Sequence, residues 1–246
     1  MTSRSDNNNT NNNNNQKKTQ NAFHIGEDED ETLHMAAYAG NQAMCILRLN
    51  QKTSKVTSRD EDGRTPIHWA AAGGHASVFE FLLGQLETDE QRAKVINKKD
   101  DGGWTPLHSA TSSGHLEVVK LLVEKYLCNV NLKNDNGQIA LHYVKKNELI
   151  ASILIPKTKD LNIQAKRGQT TPLMKSVMIG CSDIVNQLIS TDKIEINLQD
   201  ASGNTALHYA YEAGYQEIVQ ILESKGKASK SIANKEKKLP SQMRRN

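Results

Sequence analysis

A four-residue phrase recurs along the chain, and its period excludes a single globular core. It reads Thr65-Pro-Ile-His68, Thr105-Pro-Leu-His108, Thr171-Pro-Leu-Met174 and Thr205-Ala-Leu-His208, with a degenerate copy at Ile139-Ala-Leu-His142. The apolar third positions are Leu33, Ile67, Leu107, Leu141, Leu173 and Leu207, separated by steps of 34, 40, 34, 32 and 34 residues. Self-similarity at such a period marks a stack of one small unit whose hydrophobic face is buried only by its neighbours.

The phrase predicts a helix start. Thr at an N-cap can accept a bond from an orphan helix amide, and Pro at the next position gives up a donor that the first turn does not use. A second periodic stretch follows, as in residues 115–123, where Val118, Leu121 and Leu122 share one helical face. Gly74, Gly114, Gly180 and Gly214 fall between the two helices of their units, where a left-handed residue is needed. The loops between units carry Asn97, Asn131, Asn162 and Asn197, then turn pairs such as Asp62-Gly63, Asn136-Gly137 and Ser202-Gly203 that favour a tight reversal. Each unit is therefore helix, turn, helix and finger. The period and the Thr-Pro-Leu-His phrase are similar to those of ankyrin repeats. The expected fold is all-α: a solenoid of about six helix-turn-helix repeats with β-hairpin-like fingers, closed by a C-terminal half-repeat.

Bulk properties fit a solenoid. Aromatic residues make up only 4% of the 246 residues, and small side chains at Ala36-Ala37, Ala70-Ala71, Ala110 and Ala210 let helices approach closely. Cys45, Cys128 and Cys181 are odd in number and stand at no metal or disulfide spacing, which points to buried fillers in a reducing compartment. The first 22 residues are polar, and no stretch approaches the ~20 apolar residues of a membrane span. A cytoplasmic and nuclear protein without membrane contact is expected. Net charge is +3, unevenly spread: residues 27–31 are all acidic, whereas Glu223 to Asn246 hold eight Lys or Arg against two Glu. The basic end is read as a solvated face of the last repeat and not as a nucleic-acid site.

The organisation expected is a disordered Asn-rich leader over 1–26, repeats near 28–59, 60–99, 100–133, 134–164, 165–199 and 200–233, a partial unit at 234–240, and a basic tail at 241–246. Two irregularities stand out. The 40-residue step adds about six residues at Leu86 to Val95, expected to lengthen a second helix or its exit loop. The 32-residue step leaves repeat four, around Tyr143 to Ile150, without room for the usual inter-helix turn.

His68 with His75, and His108 with His115, have a spacing that could suggest metal, but each recurs at the same place in its unit and no carboxylate or Cys completes a ligand set. Structural hydrogen bonding is the better reading. Nucleophile elbows, phosphate loops and His-Glu-x-x-His are missing, and the repeats leave no space for a catalytic domain. The chain therefore reads as a monomeric binding protein, with no enzyme activity, cofactor or metal. Ankyrin stacks bind through finger tips and first helices. The residues following each helix-start phrase, Met35, Trp69, Ser109, Tyr143, Lys175 and Tyr209, and the finger residues Arg64, Trp104, Gln138, Thr170 and Asn204, are the candidates. Both tryptophans fall in this set, and aromatic and Arg anchors are the usual hot spots of interfaces. Trp on a finger can equally pack on the neighbouring finger.

Several strings, in order from about residue 32 to 240, resemble the gankyrin family of ankyrin-repeat chaperones of proteasome regulatory-particle assembly. They include residues 37–40 (Ala-Tyr-Ala-Gly), 60–70 with His68-Trp69, 100–108 with Gly103-Trp104, Leu141-His-Tyr143, 199–205 and the closing Asn234-Lys-Glu. The resemblance implies that a concave face clasps the C-terminal helical domain of one AAA ATPase subunit of the proteasome base. It would place Arg64, Trp69, Trp104, Tyr143 and Lys146 in that groove, with Arg64 and Lys146 meeting acidic side chains; Lys145 is an alternative to Lys146, because the short turn blurs the alignment. Animal members carry Leu-x-Cys-x-Glu, associated with retinoblastoma-type partners, where this chain reads Tyr209-Ala-Tyr-Glu-Ala213. The competing reading is an ankyrin adaptor for another intracellular partner, such as a kinase or transcription factor.

Overall fold

The computed structural model describes residues 32–52 and 54–243. The expected leader, the acidic run at 27–31 and the end of the basic tail at 244–246 lie outside the described residues. Twelve α-helices are described, in antiparallel pairs: α1 (Leu33–Ala39) with α2 (Gln42–Asn50), α3 (Pro66–Gly73) with α4 (Ala76–Gly84), α6 (Pro106–Ser113) with α7 (Leu116–Lys120), α9 (Pro172–Met178) with α10 (Ser182–Ile189), and α11 (Ala206–Ala213) with α12 (Gln216–Ser224). Two further helices, α5 (Asp89–Ile96) and α8 (Glu148–Leu154), stand at the two irregularities.

The first helices form an inner row in which α1 packs on α3, α3 on α6, and α9 on α11. Ala36, Ala37, Ala70, Ala71, Ala110 and Ala210 are all fully buried there, because a methyl side chain lets two backbones approach without a cavity. The second helices form an outer row through α2, α4, α7, α8, α10 and α12. Between the rows lie Phe79, Leu82, Leu122, Ile150, Ile184 and Leu222, at 0% exposure.

The helix-start histidines hold the layers together. His68 Nδ1 accepts the Thr65 amide (3.1 Å) and the Thr65 hydroxyl (2.9 Å). A nitrogen that accepts an amide carries no proton, so Nε2 carries it and donates to the Trp104 carbonyl of the next unit at 3.1 Å. The same triangle joins Thr105, His108 and the Gln138 carbonyl, and Thr205, His208 and the Lys238 carbonyl. In unit four Ile139 offers only its amide to His142, whose Nε2 reaches the Ile163 carbonyl. Where Met174 replaces His, the Thr171 hydroxyl accepts the Met174 amide at 3.2 Å, the ordinary N-cap. Burial pushes His68, His108 and His142 down to about 4, so these rings are neutral at physiological pH.

The turn glycines behave as read. Gly74 sits at φ 79°, and a Cβ there would lie 2.3 Å from His115 Nδ1 of the next unit, so both conformation and contact demand glycine. The inter-unit asparagines form a ladder: the Oδ1 atoms of Asn97, Asn131, Asn162 and Asn197 accept the amides of Asn129, Lys159, Glu195 and Ser229 one unit on, each at 2.8–2.9 Å.

Both irregular steps resolve differently from a lengthened loop. The six-residue excess builds a helix of its own, α5, because Thr88 and Gln91 form a reciprocal capping box that nucleates it. In unit four the first helix shrinks to one 3₁₀ turn, Ala140–Tyr143. The chain then leaves in an extended conformation at Val144, and Asn147 caps α8 through the Ile150 amide at 3.1 Å. The missing inter-helix turn is thus supplied by shortening the inner helix.

Fingers are tight reversals, in which Asp60, Asp100, Asn134, Asp200 and Asn234 each donate their amide to the carbonyl four residues on. Single backbone bonds, such as Asp101 to the Asp62 carbonyl and Asp135 to the Gly102 carbonyl, stitch neighbouring tips together.

Candidate protein-binding face

Each described finger but that of unit five opens on an Asp or Asn whose Oδ1 accepts amides of its own loop. Asp60 takes those of Asp62 (3.0 Å) and Arg64 (2.8 Å), and Asp100 takes those of Gly102 (3.0 Å) and Trp104 (2.7 Å). The second side-chain atom is left facing the inner helix. In unit two the Trp69 indole N–H donates to Asp60 Oδ2 at 2.6 Å. In unit six the Tyr209 hydroxyl donates to Asp200 Oδ2. In unit four Asn134 Nδ2 donates to the Tyr143 oxygen (2.7 Å), and that hydroxyl donates to Gln138 Oε1 (2.6 Å).

Units three and five depart from this pattern. Ser109 is too short to reach its finger, so Asp100 Oδ2 is taken by Arg64 Nε from the preceding unit at 3.2 Å; their side chains are 4% and 29% exposed. Unit five begins its finger with Ala165, and Lys175 stands where the clamping ring would be.

The electrostatics follow from this bonding. Burial pushes the Asp60 carboxyl upward, but the bonds from Trp69 and the Arg64 amide outweigh it and hold the group below its usual value. Burial, reinforced by the bond and charge of Asp200, pushes Tyr209 up to about 12, and burial also raises Tyr143. Both phenols remain neutral donors.

The rings fall into two clusters. Tyr38 meets Trp69 edge-on at 5.6 Å, and the Arg64 guanidinium lies 5.4 Å from the Trp69 ring centre. Trp104 and Tyr143 lie 4.5 Å apart, both beside His108. The sequence candidates Arg64 and Trp69 are thus brought together, as are Trp104 and Tyr143, and all four remain partly exposed. Tyr209 stands apart on α11 and Lys175 on α9, both partly exposed. Lys145 and Lys146 are both exposed on the extended link, and Lys146 lines a 440 Å³ recess with Asn147, Gly180 and Cys181. Ser109 is buried, and its Oγ makes no protein hydrogen bond; it presents almost no surface to a partner.

Two features escaped the sequence reading. Tyr38, 51% exposed, extends the ring cluster next to Met35, 58% exposed; the signal was their i, i+3 spacing on one helix. The finger Asp and Asn clamps were also missed, although Asp60 to Trp69, Asn134 to Tyr143 and Asp200 to Tyr209 share a separation of nine residues.

This architecture has known relatives. A family model described as ankyrin repeats (3 copies) matches overlapping segments 6–94, 33–134, 90–165, 124–200 and 144–234. A Saccharomyces cerevisiae protein named "Probable 26S proteasome regulatory subunit p28" is 31% identical over 196 residues, which is 78% of this chain and 84% of that protein. The chain belongs to the gankyrin family of ankyrin-repeat proteins. The Mus musculus "26S proteasome non-ATPase regulatory subunit 10" is 40% identical over 47 residues, 19% of this chain and 20% of that one. Among solved structures, the ankyrin repeat domain of Bcl-3 superposes with a TM-score of 0.68 at 22% identity, covering 89% of this chain and 96% of that one; it bears on fold alone. In this gankyrin-family chain, Trp69 and Tyr209 are fixed to finger carboxylates and Tyr143 to finger amide side chains.

Proposed function

We propose that this chain is a non-enzymatic, protein-binding chaperone for assembly of the base of the 26S proteasome regulatory particle. It would hold the C-terminal domain of one AAA ATPase subunit against its inner helices and fingers, in the cytoplasm and nucleus. The carrying observation is the pairing of partly exposed rings, Tyr38 on Trp69 and Trp104 on Tyr143, in which Trp69 and Tyr143 are held in one geometry by hydrogen bonds to their fingers. Rings that are already immobilised lose little entropy on binding, which is the property of an interface anchor. Arg64 beside Trp69, Lys146 on the link after Tyr143 and Lys175 on α9 add positive charge and would set orientation and encounter rate with an acidic surface more than affinity. The non-enzymatic reading rests on the buried histidines, whose nitrogens are all committed to hydrogen bonds between layers.

Titration of the full chain with the C-terminal domain of each base ATPase tests this. Tight binding to one subunit, weakened at least about tenfold by Tyr38→Ala with Lys146→Glu, is expected. Absence of binding to every subunit would transfer the function to the adaptor reading, with another intracellular partner.

A further inference from the structure

The helix α5 builds a second groove, lined by none of the ring or lysine candidates above. It has a volume of 890 Å³ and lies between the exit of α2, residues 54–59 and the α4–α5 segment. Its floor is aliphatic: Leu49, Val56, Leu86 and Val95. Its rim is basic: Lys55, Arg59, Lys94 and Lys98 line it, and Glu87 is the one acid among the described lining residues. Arg59 is held by Asp101 at 2.6 Å, but Lys55, Lys94 and Lys98 have no acidic partner among the described residues. Among the described residues only the second unit has an additional capped helix, and that helix supplies Lys94 and Val95 to the groove wall.

We propose that this groove binds an acidic peptide segment of a protein partner, one that carries aliphatic side chains among its carboxylates. The chemistry of the lining selects that occupant. Exposed cations alone give little affinity, so an aliphatic floor that can desolvate Leu or Ile side chains must supply most of it, while the lysines provide steering and register. A small anion would leave the floor uncovered. A single-stranded nucleic acid would leave the aliphatic floor uncovered and find no ring to stack on, since the lining contains no aromatic residue.

The test uses the full chain and fluorescein-labelled peptides followed by anisotropy. The probe is Glu-Asp-Leu-Glu-Asp-Ile-Glu-Asp; the controls are the same peptide with Ser for Leu and Ile, and an oligothymidylate. The probe is expected to saturate and to weaken at least about tenfold in Lys55→Glu/Lys94→Glu/Lys98→Glu, with a steep salt dependence. It should weaken more, at least about thirtyfold, when Ser replaces both aliphatic residues. Lys146→Glu should leave it unchanged, which separates this groove from the ring face. The three lysine side chains stand at the rim, and an unchanged melting curve of the variant verifies its fold. Equal binding by the lysine variant, equal binding of the Ser peptide, or tighter binding of the oligonucleotide would each overturn the proposal.

Discussion

Trp69 donates its indole N–H to Asp60 Oδ2 at 2.6 Å, nine residues back on the finger of its own unit. The ring therefore has two roles: it ties a finger to an inner helix, and it offers its face to Arg64 and its partner ring Tyr38. A truncation at this position confounds binding with stability unless the two roles are separated.

Trp69→Phe keeps a ring and removes the donor. Unfolding by urea should show a loss of about 1–2 kcal/mol, the cost of leaving a partly buried acceptor without its bond, while partner binding changes less than in Trp69→Ala. A Phe variant as stable as the parent would show that the bond contributes nothing.

Arg64 is equally two-sided, because it satisfies the 4%-exposed Asp100 of the next unit. A double-mutant cycle with Arg64→Leu and Asp100→Asn should give a coupling energy of about 1–3 kcal/mol. Additive effects would mean that Asp100 is satisfied by its loop amides alone. Charge reversal at Arg64 is for the same reason a poor probe of binding.

Acid should loosen the stack before carboxylates titrate. His68, His108 and His142 are held at about 4 by burial, below the ordinary ~6.5 of an unfolded histidine. Between those values the unfolded chain binds protons that the folded chain refuses. The stabilisation is therefore complete above about pH 6.5 and is lost as the pH falls toward 4, at up to about 1.4 kcal/mol per pH unit for each histidine. Urea midpoints measured at pH 7, 6 and 5 should fall progressively, and His108→Gln should flatten the slope. A midpoint constant over that range would rule out the linkage.

Thr88 nucleates α5 through the Gln91 amide at 3.2 Å. Thr88→Ala should cost about 1 kcal/mol and act locally, so amide exchange should accelerate at residues 89–96 while the inner row, led by Ala70 and Ala110, stays protected. Faster exchange throughout the array would contradict a local role.

Much of this was legible beforehand because it is local. The phrase at Thr65-Pro-Ile-His68 contains its own cap and the histidine that accepts the Thr65 amide and hydroxyl, and Gly74 marks its own left-handed turn. The short spacing at Tyr143 to Ile150 announced a defect, but which part would yield was not decidable, because shortening the inner helix and crowding the outer one are the same deletion in sequence. The excess at Leu86 to Val95 was placed correctly and given the wrong form. There the capping box at Thr88 and Gln91 was a readable signal, outweighed by the polar character of the stretch.

The candidate face divides along the same line. Period, unit order and the positions of Trp69, Trp104 and Tyr143 were fixed by residues close in sequence, where spacing alone determines which face of a helix a side chain occupies. Tertiary structure decided what those side chains bond to. Arg64 and Asp100 stand 36 residues apart, and stacking one unit on the next is what brings a guanidinium to an otherwise unpaired carboxylate oxygen. The same stacking buries Ser109 and sets α5 beside the exit of α2, because burial is a property of neighbouring units and no single repeat encodes it.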